Sequence, residues 1–340
     1  MATIKEVAAR AGVSLSTVSI VANGRAADRK ISPATQERVL DAMRALGYRP
    51  NAAARRLRGA EPRTSIALFW ADDFREAMLA RFLRGLHEGI AEGGLDVDIM
   101  VVSYRMGQLS SAGLLHNAPG FDAAIVANAN DDDLAYVGAC EPMVPVALYN
   151  REVAGYPSVS VDDAVVGEMA ARMVLSRRGA AGCAKRAMCL SAPQTFAGAA
   201  AREKAFAAAL RDAGATVACA HVAGNDAQHG YEAVRALPEP LPDCLFAPND
   251  LVAAGALHAL HERGVLVPGE VGVVSVGSML PEYAAHMWPP LSCVEIPMEQ
   301  MARTCLQMLM ERAARPADAP SGSGAQQLQL QPEAVLRSSL

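Results

Sequence analysis

The chain has 340 residues, of which 51% are apolar, 20% charged and 5% aromatic, with a net charge of −5. This composition is typical of a globular protein, and the length is enough for two or three domains. It contains no run of about 18 uncharged apolar residues, and its first stretch, MATIKEVAARAG, lacks the apolar region of a secretory signal. We therefore expect a cytoplasmic protein without a membrane segment.

The charge is distributed unevenly. The first 60 residues hold eleven Lys and Arg residues and four acidic residues, a net charge of +7, and the remainder carries −12. A small basic head on a larger acidic body points to a polyanionic partner for the head. A solvated basic surface explains the charge equally well, so charge alone does not decide.

The seven cysteines include no C-x-x-C pair, and most lie in apolar runs. A free cysteine in such a run behaves as a small apolar residue. We predict reduced thiols within the protein core.

The basic head begins with a helix. Thr3 and Glu6 have the spacing of a capping box, in which each satisfies a backbone N–H near the other. Gly12 ends the helix, where the chain needs a positive φ. The helical period places four apolar residues on one face, namely Ile4, Val7, Ala8 and Ala11.

Two further short helices follow. Ser14 is a predicted N-cap for the second helix, whose inward residues are Val18, Val21 and Ala22 and which closes at Asn23-Gly24. Ser32-Pro33 starts the third helix, which Gly47 ends, with an inner face of Val39, Leu40, Met43 and Leu46. A glycine turn between the first two of three short helices predicts a helix-turn-helix, whose second helix enters the DNA major groove. The alternative is a three-helix cap on an enzyme.

The head resembles that of the lactose-repressor (LacI/GalR) family of bacterial transcription regulators. The matching patterns are V-A-x-x-A-G-V-S-x-x-T-V-S-x-x-x-N over residues 7–23 and G-Y-x-P-N-x-x-A-x-x-L over residues 47–57. More than a dozen positions agree in order over about 55 residues. The resemblance implies sequence-specific binding to operator DNA.

The resemblance also assigns roles to the residues of the head. It implies that Leu15 and Ser16 read bases at the start of the recognition helix. Phosphate and groove contacts fall to Thr3, Thr17, Ser19 and Asn23. Ile20 stands where many family members carry arginine, and an aliphatic side chain makes only apolar contacts, most naturally with a thymine methyl group. We therefore expect fewer hydrogen bonds to bases and more reliance on groove shape.

A short segment joins the head to the body. The stretch PNAAARRLRG, residues 50–59, is too short to be a stable helix alone in water, where roughly 12 to 15 residues are needed. It is either a simple linker or a hinge helix that folds only on DNA beside a second copy. In the second reading Leu57 wedges between bases in the minor groove and arginines hold phosphates. The family pattern, which Asn51, Ala54 and Leu57 match, supports the hinge. The predicted DNA contacts are these three residues together with Arg55 and Arg58.

From Ser65 onward, apolar strands alternate with helical patterns, which predicts parallel sheets with helices on both faces. The predicted strands cover 65–70, 97–103, 123–127, 144–148, 187–190, 216–222, 244–247 and 271–276, with a last strand after a polar loop at 316–327. The predicted helices cover 74–92, 164–178, 201–213, 226–236 and 249–263. The fold class is thus α/β, with a three-helix head and two lobes.

The body resembles the regulatory part of the same family, which is similar to periplasmic sugar-binding proteins. The clearest stretch is PDCLFAPNDLVAAGALHALHERGVLVPGEVGVVSVGS. The resemblance implies a head at 1–48, a hinge at 49–60 and an effector-binding and dimerisation domain at 61–340. It places one lobe at about 61–161 and 291–326 and the other at about 162–290 and 327–340. The effector would bind in a cleft between the lobes.

Five residues are carried over as effector contacts, namely Asp72, Arg105, Asn150, Arg202 and Asp250. Asp250 stands where the family has an aspartate that accepts hydrogen bonds from ligand hydroxyls. It could instead cap the following helix. Arg202 matches an arginine that binds sugar hydroxyls or a carboxylate, and the alternative is an exposed helix arginine. For Asp72, Arg105 and Asn150, a position at a strand end without a ligand role is an equal alternative.

Two departures weaken the interpretation of the effector as a plain sugar. Gly277 and Ser278 stand where the family has an aromatic residue and paired aspartates. Residues 73–76, DFRE, replace a run whose aromatic rings stack on sugars. An anionic effector, which would suit Arg105 and Arg202, is therefore a second possibility.

Catalytic signatures such as G-x-S-x-G, H-E-x-x-H and G-x-x-x-x-G-K-[ST] are missing from the chain. His258 and His261 are spaced for a metal but lack further ligands nearby in sequence. We predict an effector-controlled repressor rather than an enzyme, without cofactor or metal, acting as a homodimer on a near-palindromic operator. The alternatives are a small-molecule binding protein whose head no longer reads DNA, which Ile20 favours, and an enzyme with an appended head. Whether the effector releases or promotes DNA binding stays open.

Overall fold

The computed structural model describes residues 3–22, 26, 31–46, 64–72, 76–112, 115, 121–140, 142–176, 185–193, 197–277, 279, 281–313 and 325–340. The predicted turn at Asn23-Gly24, the predicted helix end at Gly47 and the whole hinge segment lie outside them.

The head begins with helix α1 (Ile4–Ala11). The predicted capping box is confirmed, since Thr3 Oγ1 accepts a hydrogen bond from the Glu6 backbone N–H at 3.3 Å and the Glu6 carboxylate accepts from the Thr3 N–H at 2.6 Å. The Thr3 backbone N–H and, second, the Thr3 hydroxyl both donate to the Glu6 carboxylate, and these bonds hold the pKa of Glu6 below its usual range. Gly12 follows in the left-handed region at φ +64, as predicted for a helix end.

Helices α2 (Leu15–Ala22) and α3 (Pro33–Ala45) complete the head. Ser14 Oγ accepts from the Thr17 N–H at 3.1 Å and Ser32 Oγ from the Thr35 N–H at 3.3 Å, which confirms both predicted N-caps. The buried core consists of Val7, Ala8, Ala11, Val18, Val21, Ala22, Ala26, Val39, Ala42 and Met43. In α3, Ala42 rather than Leu40 or Leu46 joins this core, and the two leucines are half-buried against it.

The body alternates strands and helices in chain order. Its first part contains β1 (Thr64–Asp72), α4 (Glu76–Glu92), β2 (Val97–Arg105), a 3-10 turn (Leu109–Ala112), β3 (Ala123–Ala127), α5 (Asp131–Ala139), β4 (Val146–Tyr149), β5 (Ser158–Ser160) and α6 (Asp163–Ser176). The chain continues through β6 (Arg186–Ser191), α7 (Ala197–Asp212), β7 (Thr216–His221), α8 (Ala227–Arg235), β8 (Cys244–Ala247) and α9 (Asp250–Glu262). It ends with β9 (Gly272–Gly277), α10 (Pro281–Ala284), β10 (Ser292–Glu295), α11 (Met298–Ala313), β11 (Gln327–Gln329) and β12 (Glu333–Val335).

These strands form two six-stranded sheets. The first has the order β11-β5-β4-β3-β1-β2, and β1, β3 and β4 are parallel. The second has the order β12-β10-β9-β8-β6-β7, with β7, β6, β8, β9 and β10 parallel and β12 antiparallel to β10. The predicted α/β class with parallel sheets is confirmed, and all residues of β3, β4, β8 and β9 are buried.

The chain divides into two compact units. One comprises Met1–Ala71, Glu88–Ser158 and Thr304–Gln327, and the other comprises Asp72–His87, Val159–Arg303 and Leu328–Leu340. Aromatic pairs mark the core of each unit. Phe69 and Phe121 meet edge to face with ring centroids 5.9 Å apart, and Phe206 stacks on Phe246 at 4.4 Å.

The cysteines behave largely as predicted. Within the described part of the chain all are free thiols, and Cys140, Cys189, Cys244, Cys293 and Cys305 are buried. Cys219 is the exception, since it is exposed on β7, the edge strand of the second sheet. No described helix is both long and apolar enough to cross a membrane.

Candidate DNA-binding surface and effector-binding residues

Helix α2 presents a short row of small and aliphatic side chains. Leu15 is 44% exposed, Ser16 is exposed, and Thr17, Ser19 and Ile20 are half-buried. The inward residues Val18, Val21 and Ala22 pack into the core of the head and hold the opposite side of α2 toward solvent. The predicted base-reading residues are thus available to a partner.

Thr3 is exposed at the start of α1, but its hydroxyl is already engaged. It accepts from the Glu6 N–H and donates to the Glu6 carboxylate at 3.0 Å. A contact from this residue to a phosphate would therefore use or replace a cap hydrogen bond. The other predicted DNA contacts, Asn23, Asn51, Ala54, Arg55, Leu57 and Arg58, lie outside the described residues.

Predicted effector residues stand at the carboxyl ends of strands in the first sheet. Asp72 ends β1 and Arg105 ends β2, and both side chains are exposed. Asn150 follows β4 and is half-buried. Since β1, β3 and β4 are parallel neighbours, Asp72 and Asn150 stand at the same edge of the sheet, the edge at which α/β proteins bind ligands.

Asn128, which the sequence analysis missed, completes this row at the end of β3. Asn128 and Asn150 both have positive φ values, +59 and +56, which are uncommon for residues other than glycine and cluster at functional sites. Hydrogen bonds fix the loops around them, since Arg151 Nε donates to the Ala129 carbonyl at 2.9 Å. A sequence signal existed, because asparagine directly after a buried strand is a residue that tolerates this conformation.

The loop that follows Arg105 is held by a buried carboxylate. Asp133 at the start of α5 is 1% exposed and accepts hydrogen bonds from the backbone N–H groups of Gly107 and Leu109, both at 3.0 Å. The Tyr104 hydroxyl donates to the same carboxylate at 3.4 Å. These bonds fix the backbone after Arg105 and the side chain of Tyr104 before it, while the Arg105 side chain stays exposed.

In the second sheet, Asp250 lies directly after the turn that ends β8. It is fully buried as the first residue of α9. The alternative that Asp250 caps this helix is wrong, because the N-cap is Asn249, whose Oδ1 accepts from the Val252 N–H at 2.9 Å. Two adjacent residues that both suit an N-cap made the position ambiguous in the sequence, and the helix register resolves it. The Asp250 carboxylate is thus not required for capping.

Gly277 ends β9, beside a cluster formed by Cys293, Glu295 and Arg337. A Cβ atom at Gly277 would lie 2.7 Å from Cys293 Sγ, so the cysteine occupies the space that a side chain would need. Arg337 donates to Cys293 Sγ at 3.3 Å and to Glu295 Oε1 at 3.2 Å. Burial raises the pKa of the Cys293 thiol to about 11, while Arg337 opposes this and the charges of Glu295 and Asp250 add to it. The thiol therefore stays protonated at neutral pH.

Arg202 on α7 is buried, with 8% exposure, so the alternative of an exposed helix arginine is wrong. Its Nε donates to Asp163 Oδ1 at 2.6 Å, and both side chains are largely buried. The charge of Arg202 is thus balanced within the protein. This weakens the argument for an anionic effector, because of the two arginines only Arg105 is exposed.

No group of three or more His, Cys, Asp or Glu residues in the described ranges is arranged to hold a metal ion. His258 Nε2 lies 3.5 Å from Glu262 Oε1, and its ring is near that of Tyr231, with centroids 5.3 Å apart.

Comparison with known proteins matches both parts of the chain. Residues 3–51 match the family of bacterial regulatory proteins named for LacI, and residues 179–340 match a periplasmic binding protein-like domain. The ribose operon repressor of Escherichia coli (strain K12) is 26% identical over 324 residues, covering 93% of this chain and 94% of the relative.

Solved structures agree with the observed fold. A LacI family transcription regulator from Clostridium acetobutylicum has a TM-score of 0.74 and 26% identity, covering 81% of this chain and all of that one. A complex of the transcriptional regulator CelR with cellobiose has a TM-score of 0.64 and 25% identity, and the match covers all of both chains. The predicted helix-turn-helix head and periplasmic-binding-protein-like body are therefore confirmed.

Proposed function

Since the chain belongs to the LacI family of bacterial transcription regulators, we propose that it is a cytoplasmic repressor whose DNA binding is controlled by a small-molecule effector. The observation that carries the proposal is the structure of the head. Its three capped helices pack around a buried core, and one side of α2 stays outside this core. The relatives are regulators rather than enzymes, and we assign no catalytic role, cofactor or metal to this chain.

The DNA target is a near-palindromic operator bound by a homodimer, with one head on each half-site. Residues 1–48 act as the head and residues 49–60 as a hinge helix that forms on DNA, where Leu57 enters the minor groove. Specific dissociation constants of this kind of interface are on the order of 10⁻⁸ to 10⁻¹¹ M at physiological salt.

Three exposed apolar side chains, which we assign to one patch, support the homodimer. They are Leu266, Trp288 and Leu336, which are 67%, 85% and 61% exposed. Leu266 precedes β9, Trp288 precedes β10 and Leu336 follows the antiparallel β12, so all three lie near the amino-terminal edge of the second sheet. Exposed apolar patches that contain tryptophan are typical of protein interfaces. We assign this patch to contact with the second subunit.

The effector contacts are Asp72, Arg105 and Asn150 at the edge of the first sheet, together with Arg202 and Asp250. Asp250 accepts hydrogen bonds from effector hydroxyls, and Asp163 holds Arg202 in place. The solved CelR structure contains cellobiose, and another LacI family structure contains ribose. We propose a sugar or a sugar-derived metabolite as effector. Its coupling to DNA binding is about 1–3 kcal/mol and acts in both directions.

A thermal-shift screen of pentoses, disaccharides, sugar acids, phosphosugars and nucleobases tests the effector site. A ligand of the native state raises the melting temperature by mass action. We expect a shift with at least one polyhydroxylated compound and no shift in the Asp250→Asn variant, which should still bind DNA. A screen without any shift, or an equal shift in the variant, would contradict the assigned site.

A further inference from the structure

The recognition helix α2, LSTVSIVA, contains no charged, amide or aromatic side chain. Its four large or branched apolar residues divide into two pairs, one in the core of the head and one outside it. Val18, Val21 and Ala22 form part of the core of the head, whereas Leu15 and Ile20 lie outside that core. Leu15 is 44% exposed and Ile20 is half-buried, so both present apolar surface outside the core of the head.

The remaining side chains of α2 offer little discrimination between bases. Ser16, Thr17 and Ser19 carry hydroxyl groups, which both donate and accept and therefore suit several base edges. The Thr17 hydroxyl also lies 2.8 Å from Ser14 Oγ at the helix cap. An aliphatic side chain in the major groove distinguishes bases mainly through the C5-methyl group of thymine.

We propose that α2 selects its half-site by the methyl groups of two thymines, one against Leu15 and one against Ile20. The inference rests on the proposed DNA binding and adds what the head reads. Five residues separate the two side chains, which places them roughly 7.5 Å apart along the helix and about 140° apart around it. They therefore contact different base pairs, about two steps apart at roughly 3.4 Å per step.

The experiment removes only the methyl groups. A duplex library with 20 random base pairs is first selected on the full-length protein to obtain a bound sequence. Each thymine of the selected half-site is then replaced singly by deoxyuridine, which keeps the base pair and the O4 acceptor. Anisotropy titrations give the dissociation constant of each duplex, and thymines outside the half-site serve as matched controls.

At two positions of each half-site, we expect deoxyuridine to raise the dissociation constant about three- to tenfold, the effect of losing one buried methyl group. At the control thymines, the dissociation constant should change less than twofold. In the Leu15→Ala variant, one of the two positions should lose its sensitivity to deoxyuridine, and in Ile20→Ala the other. Circular-dichroism melting of the variants verifies that the head stays folded, as expected for residues outside its core.

Two outcomes separate the inference from the function on which it rests. If selection enriches no sequence, the proposed operator binding itself is wrong. If a sequence is enriched but deoxyuridine changes its dissociation constant less than twofold at every thymine, methyl reading is wrong while operator binding stands. Unchanged deoxyuridine sensitivity in both alanine variants would likewise overturn the assignment to Leu15 and Ile20.

Discussion

Arg202 and Asp163 form a buried ion pair in the second compact unit, and Arg202 is also a proposed effector contact. Their side chains are 10% and 17% exposed and are joined at 2.6 Å. A buried charge that loses its partner is costly, because neither water nor a counter-charge remains to stabilise it. Asp163 is therefore a positioning residue for Arg202, and its removal should affect folding as well as effector binding.

The Asp163→Asn substitution should lower the free energy of unfolding by roughly 2–4 kcal/mol, because Arg202 then stays buried without a matching charge. Urea unfolding monitored by circular dichroism measures the effect. The matched control is Glu168→Gln, which removes an exposed pair with Arg172 at 3.7 Å on the same helix. This control should change stability by less than about 0.5 kcal/mol. Equal effects of the two substitutions would contradict the role of the buried pair.

The residue types in the sequence predicted several residues of the proposed effector site, but not how deeply these residues are buried or what they contact. Arg202 could be recognised from its place in the pattern, whereas its burial and its pairing with Asp163, 39 positions away, depend on tertiary structure. Asn128 was missed because an asparagine after a strand is also common in ordinary exposed turns, so this signal does not reveal that the side chain is buried. Cys293 beneath Gly277 is a contact between neighbouring strands, which a single sequence does not reveal.

At the scale of elements, helices α4 and α11 are joined by a close backbone contact and an ion pair. A Cβ atom at Gly85 would lie 2.4 Å from the Glu299 carbonyl oxygen, so the two helices approach more closely than any larger residue permits. Next to this contact, Arg81 donates to both carboxylate oxygens of Glu299, at 2.8 and 2.6 Å. Burial alone would raise the pKa of Glu299, but the hydrogen bonds and charge of Arg81 outweigh it and hold the pKa below its usual range.

This ion pair predicts a dependence of stability on pH. A carboxylate with a lowered pKa in the folded state contributes stability above its ordinary pKa of 4.5, and the contribution is lost as the pH falls through the folded value. The Glu299→Gln substitution should therefore cost roughly 2 kcal/mol at pH 7 and much less near pH 3. Thermal midpoints of both proteins between pH 7 and 3 measure the difference. A difference that is constant over this range would contradict the prediction. Glu282→Gln, at an exposed pair with Arg84, serves as the control.

The hinge gives a second prediction at this scale. If residues 49–60 form a helix only on specific DNA, Leu57→Ala should weaken operator binding by at least tenfold and leave binding to random duplex within about twofold, because the wedge acts only at the bent site. Anisotropy titrations with the selected and a scrambled duplex measure both values. Equal losses on the two duplexes would show that Leu57 is not a wedge.

Most elements of the fold could be predicted from the sequence, including the four-residue strand β8, whereas some could not, including the 16-residue helix α11. Strands β3 and β8 match the predicted ranges 123–127 and 244–247, because turn residues bound both apolar runs. Strands β5 and β12 were missed. Each has only three residues, which is too short to show the alternation of apolar and polar residues typical of a strand, and each is stabilised by pairing with a neighbouring strand. Helix α5 was missed because its first turn consists of three aspartates, a sequence that is also typical of a polar loop. In the structure Asn130 is the N-cap of this helix.

At the scale of the whole molecule, the proposed function needs two chains on one operator. The Trp288→Glu substitution places a charge in the apolar patch and should convert a dimer into a monomer, because a buried carboxylate at an interface is costly. The side chain is 85% exposed in the single chain, so the fold itself should change in stability by less than about 0.5 kcal/mol. Light scattering after gel filtration measures the mass.

A matched control for Trp288→Glu is Ala208→Glu, which adds the same carboxylate at an exposed position on α7. The control should stay dimeric and bind the selected duplex normally. Operator affinity of Trp288→Glu should fall by at least about 100-fold, because each head then binds its half-site alone. If the Trp288 variant remains a dimer, the patch is not the subunit interface.

The proposed function requires that the basic head binds a particular DNA sequence. The most direct test is a pair of anisotropy titrations over 50–300 mM salt, one with the duplex selected from the random library and one with its scrambled version. We predict that the selected duplex binds at least about 10³-fold more tightly at physiological salt and that both affinities fall steeply with salt, as phosphate contacts require. Equal affinity for the two duplexes, or binding that is independent of salt, would contradict the account.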